Sequence, residues 1–480
     1  MPDQSVKESK ERVRTAIKNS NFELPSRKIV INLAPADTKK EGSFFDLPIA
    51  IGILQNLGYI NNESIIQTIF LGELSLDGRL NKINGVLPMC IEAKNLGIKN
   101  VILPQENSQE ASIVNGLNVI GVSSLGQAVN YLNKKEEILP SISNMEDIFS
   151  NNNQYSLDFA DVKGQEEVKR ALEVAAAGGH NAMLIGSPGA GKTMVSRRIP
   201  SILPDLSFDE ALEVTKIHSI AGILPKEQPI VTKRPYRAPH HTVSKSSLIG
   251  GGKIPKPGEI SLAHYGVLFL DELPEFKRET LEVLRGPLED RTVTISRVSA
   301  SLTYPCNFML VASMNPCPCG YYGSKEKECT CSESQIAKYM SKISGPLLDR
   351  IDIQVKVNPV KYNKLSTEAE EETSEQIRKR VNNARKIQLE RYRKFGIFSN
   401  AELTQSLINQ YCNLDDKCQK IMENAFEKLK LSARAYTRIL KVARTIADLA
   451  NSNDIKAIHL AEAINYRDLD RENINFKNSI

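Results

Sequence analysis

One octapeptide constrains this chain more than any other feature. Gly186-Ser187-Pro188-Gly189-Ala190-Gly191-Lys192-Thr193 fits G-x-x-x-x-G-K-[ST] at every place. Such a loop needs a strand before it and a helix after it. The short apolar run 181–185 suits the strand, and residues 194–199 can start the helix. Its glycines let the backbone turn so that several N–H groups converge on phosphate oxygens. The helix N-terminus adds a field that favours the anion. Lys192 is then expected to reach the β- and γ-phosphates, and Thr193 to ligate Mg²⁺, which makes ATP with Mg²⁺ the expected ligand. A glycine-rich strand–helix turn can match by chance; what weighs against chance is that further pieces of the same machine follow in order.

Residues 267–270 form an apolar strand that ends in two acids, Asp271 and Glu272. A strand buried on both faces belongs in the middle of a parallel sheet. Asp271 is expected to help hold Mg²⁺ and Glu272 to polarise the attacking water. Alone, this run would read as a strand with a solvated acidic turn; beside the phosphate loop it reads as catalytic. A second apolar strand, 311–314, ends in Asn315, whose amide is placed to position that water. The run Leu347-Leu348-Asp349-Arg350 offers Arg350 as a finger that stabilises transition-state charge from a neighbouring subunit. Ser432-Ala433-Arg434 opens a helix and offers Arg434 as a γ-phosphate sensor. Each arginine taken singly reads as a surface salt bridge; order and placement raise both.

The chain has 480 residues, too many for one core. Residues 1–135 alternate helix and strand: helices over 46–57, 86–96 and 124–132, strands over 28–33, 68–71, 101–103 and 118–121. Residues 136–157, with Asn151-Asn152-Asn153-Gln154, read as a linker. A second α/β domain spans 158–360. Residues 361–480 are a helical connector and C-terminal lid, with Ile439, Val442, Ala443, Ile446 and Leu449 at helical spacing. The longest apolar run, 47–54, is too short to cross a bilayer, so no membrane partner is expected. No apolar h-region opens the chain, and Asp3, Glu8 and Glu11 lie among its basic residues, which points to the cytoplasm. A net charge of +5 permits nucleic-acid binding without demanding it.

Four of the eight cysteines crowd into 15 residues: Cys317, Cys319, Cys329 and Cys331. They can hold Zn²⁺ tetrahedrally. Their C-x-C spacing is tighter than the common C-x₂-C knuckle, and four reduced thiols remain the other reading. Cys90, Cys306, Cys412 and Cys418 read as small buried hydrophobes.

Taken together, Val162-Lys163-Gly164-Gln165, the phosphate loop, Asp271-Glu272, Asn315 and Arg350 resemble the AAA+ ATPases. Within that group, Arg237-Ala238-Pro239-His240-His241-Thr242, the stretch 257–264, Asn315-Pro316-Cys317-Pro318-Cys319-Gly320 and the stretch 432–448 resemble the magnesium-chelatase-like ComM/YifB family of bacteria. The likeness covers essentially the whole chain. It implies a P-loop AAA+ α/β core of the helix-2-insert subgroup, a homo-oligomeric, hexameric ring, and a motor acting on single-stranded or branched DNA, the branch-migration helicase of natural transformation. It leaves open whether Arg434 serves its own ATP or a neighbour's. The alternative function is a magnesium-chelatase-type ATPase subunit that remodels a protein partner.

The stretches 72–79 and 97–104 resemble the Lon protease domain. The alignment puts Phe44 where the serine nucleophile belongs and Leu87 where the lysine base belongs, and neither can do that chemistry. A one-residue shift offers Ser43 with no lysine beside it. A retired protease fold is therefore expected, and one truncated at its start, because this family carries a few dozen residues ahead of the Pro2-Asp3 segment. Two insertions, 217–264 and 292–304, are expected to face the ring's pore, the second as a hairpin of 292–297 with 301–304. Lys245, Lys253, Lys256 and Arg297 are candidates for gripping phosphate there; any one of them also reads as a solvated loop charge. His240 and His241 are either metal ligands or structural supports of the insert.

Overall fold

The computed structural model describes residues 4–26, 28–33, 42–144, 148–149, 155–225, 228–252, 255–297, 301–324, 327–360 and 371–467. Pro2, Asp3, Lys40, Glu41, Asn151, Gln154, Lys253, Glu368 and residues 468–471 fall outside them. The chain divides into two compact units: residues 1–153 with 208–232, and residues 154–207 with 233–480.

In the first unit, helix α1 (Gln4–Asn19) packs on α2 (Asp46–Asn56). Strand β1 (Thr68–Phe70), helix α3 (Val86–Asn95), strands β2 (Asn100–Pro104) and β3 (Asn118–Val122), and helix α4 (Leu125–Leu132) follow. The three strands make a parallel sheet in the order β1–β2–β3. The core joins Val13 and Ile17 of α1, Leu47 and Leu54 of α2, and Leu125 and Val129 of α4. Asp46 is wholly buried at the start of α2, and Arg12, Ser9 and the Leu74 N–H all donate to it. A buried carboxylate is tolerable only with such partners.

Two expectations for this unit change. Segment 28–33 is not a strand and pairs with none among the described residues, and Ile29, Val30 and Ile31 stand exposed. And the helix Phe208–Ala221, which in sequence falls within the expected second domain, 158–360, and runs into its insert, packs in this unit. There the Ser219 hydroxyl donates to Glu110, the Gly85 N–H donates to the Ser219 carbonyl, and Lys82 donates to the Leu224 carbonyl at 3.3 Å.

The second unit begins with α5 (Glu166–Gly178), β4 (Ala182–Ile185) and α6 (Lys192–Ser196). Strands β5 (Tyr236–Arg237) and β6 (Val267–Leu270) follow, then α7 (Arg285–Asp290), the hairpin β7 (Thr292–Ser296) and β8 (Ser301–Pro305), β9 (Met309–Met314) and β10 (Ile353–Lys356). The main sheet is parallel throughout, in the order β10–β4–β9–β6–β5. Its central strands are buried at every residue, as parallel strands covered on both faces must be. The hairpin pairs antiparallel, Thr292 opposite Pro305 and Ser296 opposite Ser301.

The C-terminal part is a set of separate helices. They include α8 (Ser374–Tyr392), α9 (Ala433–Leu449) and α10 (Ala457–Asn465). Ser432 caps α9 through the Ala435 N–H, so the expected start is found. A single apolar core runs from the sheet through α5 into α8, α9 and α10.

Candidate nucleotide site

The phosphate loop follows β4 and leads directly into α6. Gly186 is required by close approach: a Cβ there would lie 2.2 Å from the Val357 carbonyl oxygen. Gln165 braces the loop from outside, its amide nitrogen 3.3 Å from the Ala190 carbonyl. The Lys192 ammonium donates to the carbonyls of Gly186 (2.7 Å) and Ser187 (3.0 Å) and to Asn315 Oδ1 (3.0 Å). Burial pushes Lys192 below its ordinary range, and the Asp271 and Glu272 carboxylates push back. Thr193 Oγ1 donates to Asp271 Oδ2 at 2.8 Å. Lys192, Thr193, Asp271 and Asn315 thus meet at the carboxyl ends of three adjacent strands, β4, β6 and β9, where open α/β sheets bind ligands.

Glu272 follows with φ +54°, a left-handed conformation uncommon outside glycine. The Ser313 hydroxyl explains how it is held. It donates to Asp271 Oδ1 and accepts from the Glu272 N–H at 3.2 Å. The motifs alone assign Ser313 no role; its one sequence signal is a hydroxyl within a fully buried apolar strand. A cavity of about 310 Å³ opens beside these acids, lined by Thr193, Asp271 and Glu272 on one side and Arg197, Tyr236, His240 and His241 on the other. That is the lower end of the range for small-molecule sites, about 300–1,000 Å³. His240 Nδ1 accepts from the Thr242 N–H at 3.4 Å, and His241 meets Phe276 edge-on. Neither histidine joins a metal-ligand group among the described residues.

Arg350 and Arg434 lie elsewhere. Arg350 precedes β10, which runs parallel to β4 with Ile353 opposite Ala182. It therefore sits at the amino ends of the strands, a strand length of roughly 13 Å from the loop that follows Ile185. Asn181 fixes it there by donating to the Arg350 carbonyl at 2.9 Å. The guanidinium is buried; it donates to the Pro346 carbonyl at 2.7 Å and pairs with Glu289 of α7. Arg434 is 64% exposed and faces Asp349 at 3.6 Å. One turn along α9, Arg438 pairs with buried Asp352. Both arginines thus share one edge of the sheet and neither borders the cavity beside the phosphate loop.

The four clustered cysteines converge. Cys317 Sγ lies 3.3 Å from Cys319 Sγ and 3.6 Å from Cys329 Sγ, and all four sulfurs fall within 4.8 Å of one another. The Tyr321 backbone N–H, donating to Cys319, lowers that thiol to about 5. Cys90, Cys306, Cys412 and Cys418 are buried, as expected for small apolar residues; burial pushes Cys90 up to about 12. In the first unit, Leu87 is buried on α3, and Ser43 pairs with the Glu73 carboxylate. Among the hairpin and insert residues, Arg297 approaches Gly251, while Lys245 opens a short helix and Lys256 a short ribbon.

Family profiles cover most of the chain. A profile described as magnesium chelatase, subunit ChlI, matches residues 158–365. The profile for subunit ChlI of Mg-chelatase matches 1–107, and the ChlI C-terminal profile 371–467. Competence protein ComM of Haemophilus influenzae is 43% identical over 472 residues, 97% of this chain and 91% of that protein. An uncharacterised protein of Escherichia coli, YifB, is 43% identical over 472 residues, 98% of this chain and 91% of that protein. The magnesium-chelatase subunit ChlI of Cyanophora paradoxa is 24% identical over 251 residues, 47% of this chain.

Proposed function

The chain belongs to the magnesium-chelatase-like ComM/YifB family, and from that premise we propose that it is an ATP-hydrolysing AAA+ motor that acts on DNA as a ring of like subunits. Lys192 would neutralise the β- and γ-phosphates, while Thr193 and Asp271 would hold Mg²⁺. When bound, Mg²⁺ neutralises phosphate charge during transfer. The donor set fits that ion: a hydroxyl and a carboxylate already 2.8 Å apart beside a partly buried ammonium. Glu272, aimed by its left-handed backbone and the Ser313 hydroxyl, would polarise the water that Asn315 positions.

A single observation supports assembly: the phosphate loop and the two arginines occupy opposite ends of one parallel sheet. Within one chain Arg350 is held at the far end by Asn181 and Glu289, Arg434 stands beside Asp349, and neither borders the cavity beside the phosphate loop. They serve ATP by projecting into a neighbour's site, so Arg434, left open between the two alternatives, is read as acting in trans. A closed ring satisfies every site with one kind of interface; six subunits is the family's number.

DNA is the proposed substrate because a relative sharing 43% identity over nearly its whole length is named for competence. The hairpin β7–β8 and the adjoining insert carry Arg297, Lys245 and Lys256, suited to sequence-independent phosphate contacts. Branch migration in natural transformation is the reading we favour. The first unit would serve assembly or DNA contact without proteolysis, since Leu87 and Phe44 carry no base or nucleophile. The decisive assay compares ATP turnover alone, with single strands and with four-way junctions. Stimulation of several fold that fades as salt rises supports the DNA motor. No response to any nucleic acid would favour the chelatase-type subunit acting on a protein partner.

A further inference from the structure

The cysteine loop sits against the nucleotide site, and its geometry suits more than reduced thiols. A tetrahedron of sulfurs around Zn²⁺ with Zn–S of about 2.3 Å has edges of about 3.8 Å. The three Sγ–Sγ separations among Cys317, Cys319 and Cys329 are 3.3, 3.6 and 3.6 Å. A disulfide needs about 2.05 Å, so these sulfurs are gathered but unbonded. Two backbone N–H groups donate to the cluster, from Cys319 to Cys331 Sγ and from Tyr322 to Cys317 Sγ, both at 3.3 Å. N–H groups directed at sulfur are the kind of outer contact that orients the ligands of a metal site. Four thiolates without a cation would repel one another; a divalent ion removes that cost.

The loop also touches what it would control. Gly320 has φ +86°, and a Cβ there would lie 2.4 Å from Pro188 Cδ, so the loop backbone rests on the phosphate loop. Asn315, which accepts from Lys192, lies two residues before Cys317. Its backbone N–H bonds the Tyr339 hydroxyl. Tyr339 belongs to the helix Glu333–Met340, which begins two residues after Cys331 with a capping box of Ser332 and Gln335. The cluster thus ties the segment after β9 to the helix that braces Asn315.

We propose that Cys317, Cys319, Cys329 and Cys331 bind one Zn²⁺, and that this metal clamp holds Asn315 and the Pro188 wall of the phosphate loop in place. The second half rests on the nucleotide-site reading; the first does not. The test uses the full chain grown with added zinc and purified without metal-affinity resin. Metal content is read by mass spectrometry and nucleotide affinity with a fluorescent ATP analogue. One zinc per chain is expected in the wild type and in Cys90→Ser. Cys319→Ser and Cys329→Ser should lose most of it and bind the analogue about tenfold more weakly. Cys329→His, which keeps a ligand, should retain both, and re-adding zinc to chelator-stripped wild type should restore affinity. Zinc well below one per chain in the wild type, iron in its place, or zinc unchanged by both serine variants would overturn the site. Zinc loss with unaltered affinity would overturn the clamp. Zinc-loaded wild type that binds no nucleotide would overturn the clamp and the nucleotide reading together while leaving the metal site standing.

Discussion

The two ends of the parallel sheet differ in how complete they are. At the carboxyl ends, Lys192, Thr193, Asp271, Asn315 and Ser313 already bond one another around a cavity that has room for more. At the amino ends, Arg350, Arg434 and Arg438 are held by Glu289, Asp349 and Asp352, a strand length from the phosphate loop. The first end has the groups and the room of a receptor; the second is a set of cations parked on carboxylates. The difference teaches that residues gathered by motif order can emerge at opposite ends of one sheet, so that the proposed motor needs a second copy to bring them together.

The comparison breaks most visibly at the receptor end. Lys192→Ala should cut ATP turnover by ~10³ or more, because it removes the partly buried cation proposed to pair with phosphate; turnover within tenfold of wild type would refute the site. Arg350→Ala should lose ~10³ in turnover while keeping nucleotide affinity, the signature of a finger. Mixing the two variants sharpens the contrast: if the arginine acts across the interface, a Lys192→Ala subunit lends its finger to an Arg350→Ala subunit, and activity returns. Two inactive variants that stay inactive when mixed would mean each site is complete within one chain. Glu272→Gln should bind ATP normally and turn over ~10²-fold more slowly, measured by single-turnover hydrolysis.

The smallest effect concerns folding alone. Burial would push the Asp352 carboxyl up, but Arg438 and His180 outweigh it and hold it below the ordinary carboxylate range. A carboxyl lowered on folding adds stability above its unfolded pKa of about 4 and loses it as pH falls through the folded value. Asp352→Asn should therefore cost about 3 kcal/mol at neutral pH by leaving the partly buried Arg438 guanidinium without its carboxylate. The loss relative to wild type should shrink in acid denaturation curves below about pH 4. A variant as stable as wild type at pH 7 would show that the amino edge is not held by this pair.

What sequence alone determined is local chemistry. The phosphate loop, the acids after 267–270, the amide after 311–314, the capped start of α9 and the hairpin at 292–304 all depend on residues near one another in the chain. Patterns of that kind survive without knowledge of the rest. The fold decided what depends on distant segments meeting. Ser313 gains its role only because β9 lies beside β6. The helix Phe208–Ala221 leaves its neighbours in sequence for the other unit because Glu110 and the Gly85 N–H wait there for Ser219. Segment 28–33 has strand-like residues but no paired neighbour among the described residues, and alternation cannot supply one. Above all, the separation of Arg350 and Arg434 from the phosphate loop follows from strand direction. Residue order specifies which groups exist, but only packing a parallel sheet decides at which of its ends each group emerges.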